Sequence, residues 1–195
     1  MKEKPIVTPT QMLDLLLQAN RLKVMPRAGW MIRGIVHPES VAAHSYGVAF
    51  LSLILAQAMD EPLDRARLLT IALLHDLPES HITDIPYPAL RFIAPAAKRT
   101  GELNALDEIL RAFPFGAEYR ELWLDFEDRR TPEGRLVRDA DRLEVLLQAF
   151  VYERSTGNRQ LKEFWDSTSE SYFEYPASRQ LFAVLRQRRE EEMTR

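Results

Sequence analysis

The side chains best suited to hold a metal ion occur at three places in the sequence, and at each place they interrupt an apolar stretch. They are His44, the adjacent pair His75 and Asp76, and the nearby acids Asp139 and Asp141. Burying an imidazole or a carboxylate without a partner is unfavourable. Because one cation would satisfy all of these groups together, the pattern predicts a shared metal site.

The ligand types indicate which ion this site would hold. Imidazole nitrogens and carboxylate oxygens form a mixed set that suits Mn, Fe, Co, Ni or Zn better than Ca or Mg. The absence of cysteine excludes thiolate zinc sites. Four protein ligands leave about two positions of an octahedron open for water and a substrate oxygen. The expected cofactor is therefore one divalent metal ion in a catalytic site.

Asp139 and Asp141 are alternatives for the position of fourth ligand. They lie two residues apart in a predicted helix, so their side chains point about 200° away from each other. Only one of them can reach the ion. Taken singly, each candidate ligand is more often a structural residue than a functional one. The ordered combination of histidines and acids is what favours a functional site.

Helical periodicity dominates the elements that must position these residues. The predicted helices span residues 8–23, 41–59, 61–77, 98–113, 116–129, 131–156 and 178–195. Ser40 is the expected N-cap of the helix that carries His44. Residues 24–40 and 78–90 are rich in proline or glycine and are predicted to be non-helical. The chain is therefore predicted to form one all-α domain.

The composition limits the classes of function. The chain has 195 residues, of which 46% are hydrophobic and 28% charged, and its formal net charge is −3. These values are typical of a globular domain and give no support for binding a nucleic-acid polymer. The longest apolar run, residues 47–56, is too short for a membrane span, which needs about 20 residues. Since the N-terminal residues also do not resemble a signal peptide, a soluble, cytoplasmic protein is expected.

The order of these residues resembles the H…HD…D pattern of the HD-domain metal-dependent phosphohydrolases, an all-helical superfamily. Four segments are similar to its 5′-deoxynucleotidase-like subgroup: PRAGW at 26–30, PESVAAHS at 38–45, HDLPESHITDIP at 75–86 and RDADRLEVLLQAFVYE at 138–153. The resemblance covers about residues 20–155. It implies a single HD-type helical bundle over residues 1–195, with a central metal site and a C-terminal helical extension from about residue 160.

The same resemblance implies roles for the individual acids. It selects Asp141 as the fourth ligand beside His44, His75 and Asp76, and it leaves Asp139 as a surface or second-shell acid. Glu79 follows Asp76 by three residues, so one further helical turn would place both on one face. A carboxylate there can orient or deprotonate a water molecule. The resemblance assigns this catalytic role to Glu79 together with Asp84.

Substrate contacts are expected in two loops. Arg27 supplies a planar cation that suits a phosphate dianion, and the indole of Trp30 can form a pocket wall or stack against a base. The resemblance adds the loop after the HD pair, which comprises Asp84, Ile85, Pro86 and Tyr87. The remaining histidines, His37 and His81, match no ligand position of the subgroup and are predicted not to bind the metal.

The resemblance implies hydrolysis of deoxyribonucleoside 5′-monophosphates to deoxynucleoside and phosphate. The substrate would be a small nucleotide, and the protein would form a homodimer that binds neither a nucleic-acid polymer nor a membrane. One alternative is a phosphohydrolase that acts on nucleoside triphosphates or cyclic nucleotides. Another is a non-catalytic nucleotide-binding or regulatory module that keeps the metal site only for structure.

Overall fold

The computed structural model describes residues 7–193, and these residues form ten α-helices joined by turns and short 3₁₀ helices. The helices are α1 Pro9–Asn20, α2 Ala28–Met31, α3 Val41–Ala56, α4 Arg65–Leu74, α5 Glu79–Ile82, α6 Pro95–Leu110, α7 Gly116–Asp128, α8 Pro132–Thr156, α9 Lys162–Asp166 and α10 Pro176–Met193. The only β pairing within residues 7–193 is an isolated bridge between Pro26 and Ser40. The prediction of an all-α fold is confirmed. Across the same residues, no helix is both long and apolar enough to cross a membrane.

Side-chain caps explain where the predicted helices begin. The Thr8 side chain accepts a hydrogen bond from the backbone N–H of Gln11, and the Gln11 side chain accepts one from the backbone N–H of Thr8, which together form a capping box. Ser40 caps α3 as predicted, and Thr131 caps α8. Each cap satisfies a backbone N–H that has no partner within its own helix.

The predicted helix over residues 61–77 is wrong at both ends. It begins at Arg65, because the Asp64 carboxylate accepts from the backbone N–H groups of Ala66 and Arg67 and so fixes the first turn. It ends at Leu74, so His75 and Asp76 lie just beyond the helix.

The segments predicted to be non-helical, residues 24–40 and 78–90, are also partly wrong. They contain α2, α5 and the 3₁₀ helix Tyr87–Arg91. Helices of four or five residues are too short to produce a visible apolar periodicity. The C-terminal helix is confirmed from Pro176 to Met193, and the last two residues of the predicted segment lie outside the described part of the chain.

Helix α8 is the centre of the bundle. It packs against α3, α4, α7 and α10. The apolar side chains on its inner face, Leu136, Val137, Leu143 and Leu146, are almost completely buried. Burial of this face, at roughly 25 cal/mol per Å² of apolar surface, is the main force that brings α3 and α4 onto α8.

The start of α8 is fixed by Asp125, a buried acid on α7. Its carboxylate accepts hydrogen bonds from the backbone N–H (2.8 Å) and hydroxyl (2.6 Å) of Thr131, and from the Arg67 guanidinium. Burial alone would raise the pKa of Asp125, but these hydrogen bonds outweigh burial and lower it. Gly134 permits the close packing of α8 against Asp125. A Cβ atom at this position would lie 2.7 Å from the Asp125 carbonyl oxygen and closer still to its carboxylate.

We expect Gly134→Ala to destabilise the protein by about 1–3 kcal/mol, because the added methyl group must displace Asp125. Helix propensity alone predicts the opposite sign, since alanine is favoured over glycine by about 1 kcal/mol. Gly101→Ala is the matched control, because nothing lies within 4 Å of a Cβ atom at that position on α6. Urea unfolding of both variants measures the difference. Equal stabilisation by the two substitutions would contradict this account of the α7–α8 junction.

Candidate active site

The structure brings the four predicted metal ligands close together: the ligand atoms of His44, His75 and Asp141 all lie within 4.8 Å of one another, and Asp76 lies next to both histidines. His44 comes from the first turn of α3, His75 and Asp76 follow α4, and Asp141 lies within α8. His44 Nε2 lies 3.2 Å from Asp141 Oδ1, 3.4 Å from His75 Nε2 and 3.7 Å from Asp76 Oδ2. His75 Nε2 lies 3.2 Å from Asp76 Oδ2. Packing of α3 and α4 on α8 therefore assembles the four side chains from three separate parts of the sequence.

The hydrogen-bond partners of the two Nδ1 atoms determine which nitrogen of each imidazole is available to a metal ion. His75 Nδ1 lies 2.7 Å from the carbonyl oxygen of Ala72, which can only accept, so Nδ1 carries the proton. His44 Nδ1 lies 2.5 Å from Glu144 Oε2, a carboxylate oxygen that accepts, so this Nδ1 also carries a proton. Both Nε2 atoms are then left with a lone pair directed at the point where the ligands meet.

This arrangement fits a divalent metal ion. Two imidazole lone pairs and two carboxylate oxygens converge, and such a group of acceptors requires a cation at its centre. Without a metal ion, a proton on His44 Nε2 takes the place of this cation. Burial and Arg27 oppose that protonation, but Asp141 and Glu144 outweigh them and raise the pKa of His44 to about 10. A metal ion that binds Nε2 displaces this proton. The pKa of Asp141 is lowered, since its contacts with His44 outweigh burial. The site therefore favours positive charge.

Glu144 is a residue of the site that was missed in the sequence. It is buried, and it orients His44 through Nδ1. Gly47 on α3 makes room for it, because a Cβ atom there would lie 2.8 Å from Glu144 Oε1. The signal available in the sequence was spacing, since Glu144 follows Asp141 by three residues and shares its helix face.

The prediction that Asp139 is a surface or second-shell acid is wrong. Only 1% of Asp139 is exposed, and its two carboxylate oxygens accept hydrogen bonds from the backbone N–H groups of Glu174 and Tyr175, each at 3.0 Å. The helical geometry that turns Asp139 away from Asp141 is as expected. On that side of α8, however, the chain before α10 packs in place of solvent.

Arg142 ties a second part of the C-terminal chain to α8. Its guanidinium donates to the Phe164 carbonyl oxygen at 2.9 Å, to Ser167 Oγ at 2.8 Å and to Thr168 Oγ1 at 2.6 Å. These contacts hold α9 and the 3₁₀ helix Glu170–Tyr172 against the site. Phe164 and Tyr172 consequently form part of the wall of the cavity described next.

A cavity of about 390 Å³ opens above the ligands. His75, Asp76 and Asp141 lie at its surface, whereas His44 is fully buried beneath them. The cavity also receives every residue predicted to act on the substrate or on water: Arg27, Trp30, Glu79, Asp84, Ile85, Pro86 and Tyr87. Its volume suits one small ligand.

Glu79 reaches the cavity by a route that differs from the one predicted. Helix α4 does not continue to this residue; the chain turns after Leu74, and Glu79 is the first residue of α5. Its side chain is 5% exposed, and its Oε2 atom is buried without a hydrogen-bond partner among the described residues. Burial, followed by the negative charges of Asp76 and Asp84, raises the pKa of Glu79 well above its usual range.

Arg27 and Asp84 connect the loop before α2 to the ligands. Arg27 Nη1 donates to Asp76 Oδ2 at 2.9 Å, and Arg27 Nε lies 3.9 Å from Asp84 Oδ2. The same Asp84 oxygen accepts the backbone N–H of Ala28 at 2.6 Å. Asp84 therefore holds the loop that carries Arg27 over the metal ligands.

Trp30 is more deeply buried than a free stacking platform would be. It is 2% exposed, its ring packs against Phe164 and Tyr152 with centroids 4.6 and 5.4 Å away, and its Nε1–H donates to Glu39 Oε1 at 2.9 Å. These contacts favour the pocket-wall role over base stacking.

The other two histidines lie apart from the ligands. Both side chains are exposed, and neither belongs to a group of potential metal ligands within residues 7–193. The His81 ring contacts the Gln18 side chain on α1.

Comparisons with known proteins show the family of the chain. The sequence model of the HD domain matches residues 19–180. The 5′-deoxynucleotidase HDDC2 of Danio rerio is 34% identical over 181 residues, which cover 91% of this chain and 88% of that protein. The 5′-deoxynucleotidase hdd1 of Schizosaccharomyces pombe is 35% identical over 153 residues, which cover 74% of each protein. The crystal structure of the PH0347 protein of Pyrococcus horikoshii OT3 superposes with a TM-score of 0.76 at 36% identity, over 90% of this chain and 97% of that one. The chain belongs to the HD-domain family.

We expect Asp141→Ala to abolish stoichiometric metal binding, because it removes a ligand that no neighbouring side chain replaces. Asp139→Ala should retain the metal but lower the free energy of unfolding by about 1–3 kcal/mol, because two backbone N–H groups lose their acceptor. Metal content by elemental analysis and unfolding by urea, measured on both variants, separate the two effects. Loss of metal from Asp139→Ala with retention in Asp141→Ala would show that the ligand has been misassigned.

Proposed function

We propose that the protein is a divalent-metal-dependent phosphohydrolase that converts deoxyribonucleoside 5′-monophosphates to deoxynucleosides and phosphate. The observation that carries this function is the close approach of His44, His75, Asp76 and Asp141 at the floor of a cavity. The cavity is also lined by the guanidinium of Arg27 and the carboxyl group of Glu79. The curated relatives named 5′-deoxynucleotidases support the choice of substrate. The cavity volume supports a mononucleotide over a polymer.

The metal, when bound, supplies a Lewis acid that acidifies water and polarises a phosphate oxygen. In the reaction, a bond forms between the water oxygen and phosphorus while the bond from phosphorus to the O5′ atom breaks. Glu79 accepts the proton of the attacking water and afterwards releases it to solvent, and the leaving O5′ atom takes up a proton from solvent, so the net reaction consumes one water molecule. Burial beside Asp76 and Asp84 raises the pKa of Glu79, so its ionised carboxylate, once a cation is bound nearby, accepts a proton more readily than an exposed one.

Arg27 and Asp84 act as a pair in this proposal. Arg27 binds the phosphate as a planar cation that matches two of its oxygens. Asp84 holds the Arg27 loop through the backbone N–H of Ala28 and also lines the cavity, where it acts with Glu79 to position the attacking water. The loop residues Ile85, Pro86 and Tyr87 contact the nucleoside, and Trp30 supports the opposite wall.

A late first-row ion, Mn, Fe, Co, Ni or Zn, is the proposed cofactor. Two imidazole ligands favour these ions over Mg, which prefers oxygen ligands and retains most of its water molecules. The fixed tautomers of His44 and His75 support this choice, because each presents Nε2 to the ion.

The proposed assembly is a homodimer. The outer face of α3 exposes Tyr46, Phe50 and Ile54 at helical spacing, and the neighbouring helix α8 exposes Leu147 and Val151. A two-fold axis would bury the same apolar face on both subunits. Light scattering after size-exclusion chromatography measures the mass in solution, and a monomer at all concentrations would contradict the assembly.

Phosphate release from a panel of nucleotides tests the function. We expect chelation to abolish turnover of deoxyribonucleoside 5′-monophosphates and late first-row ions to restore it better than Mg. Activity confined to triphosphates or cyclic nucleotides would replace the proposed substrate class. Tight nucleotide binding without turnover would indicate a regulatory module, and full activity without metal would contradict the mechanism.

We expect Glu79→Gln to reduce kcat by about 10²- to 10⁴-fold, the usual range for loss of a positioned general base. Metal content and KM should change little, because the four ligands and Arg27 are intact. Arg27→Ala is the comparison, and it should raise KM because it removes a cation that binds the phosphate. Steady-state kinetics and metal analysis on the same samples distinguish the roles. If Glu79→Gln loses its metal, Glu79 is a ligand; if kcat is unchanged, it is not the base.

A further inference from the structure

Arg138 places a guanidinium in the cavity without giving it a hydrogen-bond partner. It lies on α8 three residues before Asp141, and its side chain lines the cavity. Its buried Nε atom has no partner among the described residues. The nearest carboxylate oxygens to Nη1 are Glu127 Oε1 at 3.7 Å and Asp141 Oδ2 at 3.9 Å, both beyond hydrogen-bond distance.

The side chain is nevertheless held in position. The Arg138 guanidinium lies over the ring of Phe126, 4.7 Å from its centroid. A cation over an aromatic face is attracted to it without using any N–H donor. Arg138 is 30% exposed, and it faces the cavity, so its donors remain available to a ligand.

The other cations that line the cavity are already bound within the protein. Arg27 donates to Asp76, Arg33 to Glu163, Lys98 to Glu102, Arg99 to Asp128, and Arg142 to Phe164, Ser167 and Thr168. Among the described cavity residues, Arg138 is thus the cation that makes no hydrogen bond to a protein group, and its Nε atom is buried without a partner. Donors left unpaired at a partly buried site are unfavourable, and a ligand that accepts several hydrogen bonds would remove this cost.

We infer that Arg138 is a second phosphate-binding residue, which binds non-bridging oxygens of the substrate phosphate from the Asp141 side of the site. Arg27 lies beside Asp76, and Arg138 approaches Asp141, so the two cations flank the two carboxylate ligands. A phosphate monoester is a dianion with three acceptor oxygens, and the planar guanidinium fork matches two of them. The choice of phosphate as the ligand rests on the proposed function.

Charge balance supports this assignment. The cavity surface carries six acids, Asp76, Glu79, Asp84, Glu102, Glu127 and Asp141. Arg27 already pairs with one of these acids, so it offers less than a full charge to an incoming dianion. Arg138 is paired more loosely, with carboxylate oxygens 3.7 and 3.9 Å from Nη1, so it lowers the repulsion between the substrate and the acids more than a tightly paired cation would.

The test is equilibrium binding of inorganic phosphate to the metal-loaded protein, together with steady-state kinetics. Arg138→Gln should weaken phosphate binding and raise KM for a deoxyribonucleoside 5′-monophosphate by about 10- to 100-fold, as expected for loss of a charge-assisted hydrogen bond. Arg138→Lys should fall between Arg138→Gln and the wild type, because it restores the charge but not the fork. Binding of the deoxynucleoside, which lacks phosphate, should not change.

Arg135→Gln is the matched control. Arg135 lies on α8 three residues before Arg138 and also has a buried Nε atom without a partner, but it does not line the cavity, and its Nη1 donates to the Arg130 carbonyl oxygen at 3.4 Å. The Arg135→Gln substitution therefore removes the same charge from the same helix as Arg138→Gln does. Phosphate affinity and KM should be unaffected.

Two results would overturn the assignment. Unchanged phosphate affinity and KM in Arg138→Gln would show that the guanidinium does not contact phosphate. A parallel loss of metal would show that Arg138 acts through Asp141. If the wild-type protein binds phosphate but releases none from deoxynucleotides, the proposed function fails, whereas the binding measurement still decides the role of Arg138.

Discussion

The structure depends on the mutual repulsion of four electron-pair donors that the fold forces together in its interior. The Nε2 atoms of His44 and His75 and the carboxylates of Asp76 and Asp141 lie within 3.2–3.7 Å along the measured contacts. Apolar burial along α8 cannot relieve this repulsion, and a cation can. Hydrophobic packing of the helices therefore creates a site of negative electrostatic potential. The preference of this site for a metal ion follows from how the helices pack.

Three of the four predicted ligands have a second partner that restricts their orientation. Glu144 orients His44, the Ala72 carbonyl oxygen orients His75, and Arg27 binds Asp76. Such outer partners fix the tautomers of the imidazoles and the directions of the carboxylates, and they are as important to a metal site as the ligands. Gly47 also contributes to the orientation of His44. Because Gly47 has no side chain, Glu144 can pass close to α3 and reach His44.

The sequence predicted those parts of the molecule that local patterns determine. Caps such as Ser40 and Thr131 marked helix starts because they satisfy backbone groups nearby, and the ordered histidines and acids indicated a metal site. Partners distant in the chain left no such mark. Asp139 was misjudged because its hydrogen bonds go to the backbone of Glu174 and Tyr175, and an acid between apolar residues has the same local pattern whether solvent or another segment faces it.

One stretch of α8 contacts the site with one face and the C-terminal chain with the next. The position of the site residues on α8 and the position of the C-terminal chain are therefore coupled. At about 100° per residue, positions three apart share a face. Arg138, Asp141 and Glu144 form one such row and face the cavity and His44. Asp139 and Arg142 form the next row, and they bind the backbone and hydroxyl groups of the chain that contributes Phe164 and Tyr172 to the cavity wall. A rotation or shift of α8 that moved the ligand would therefore move the wall that surrounds the substrate, so the metal position and the shape of the cavity are set by the same helix.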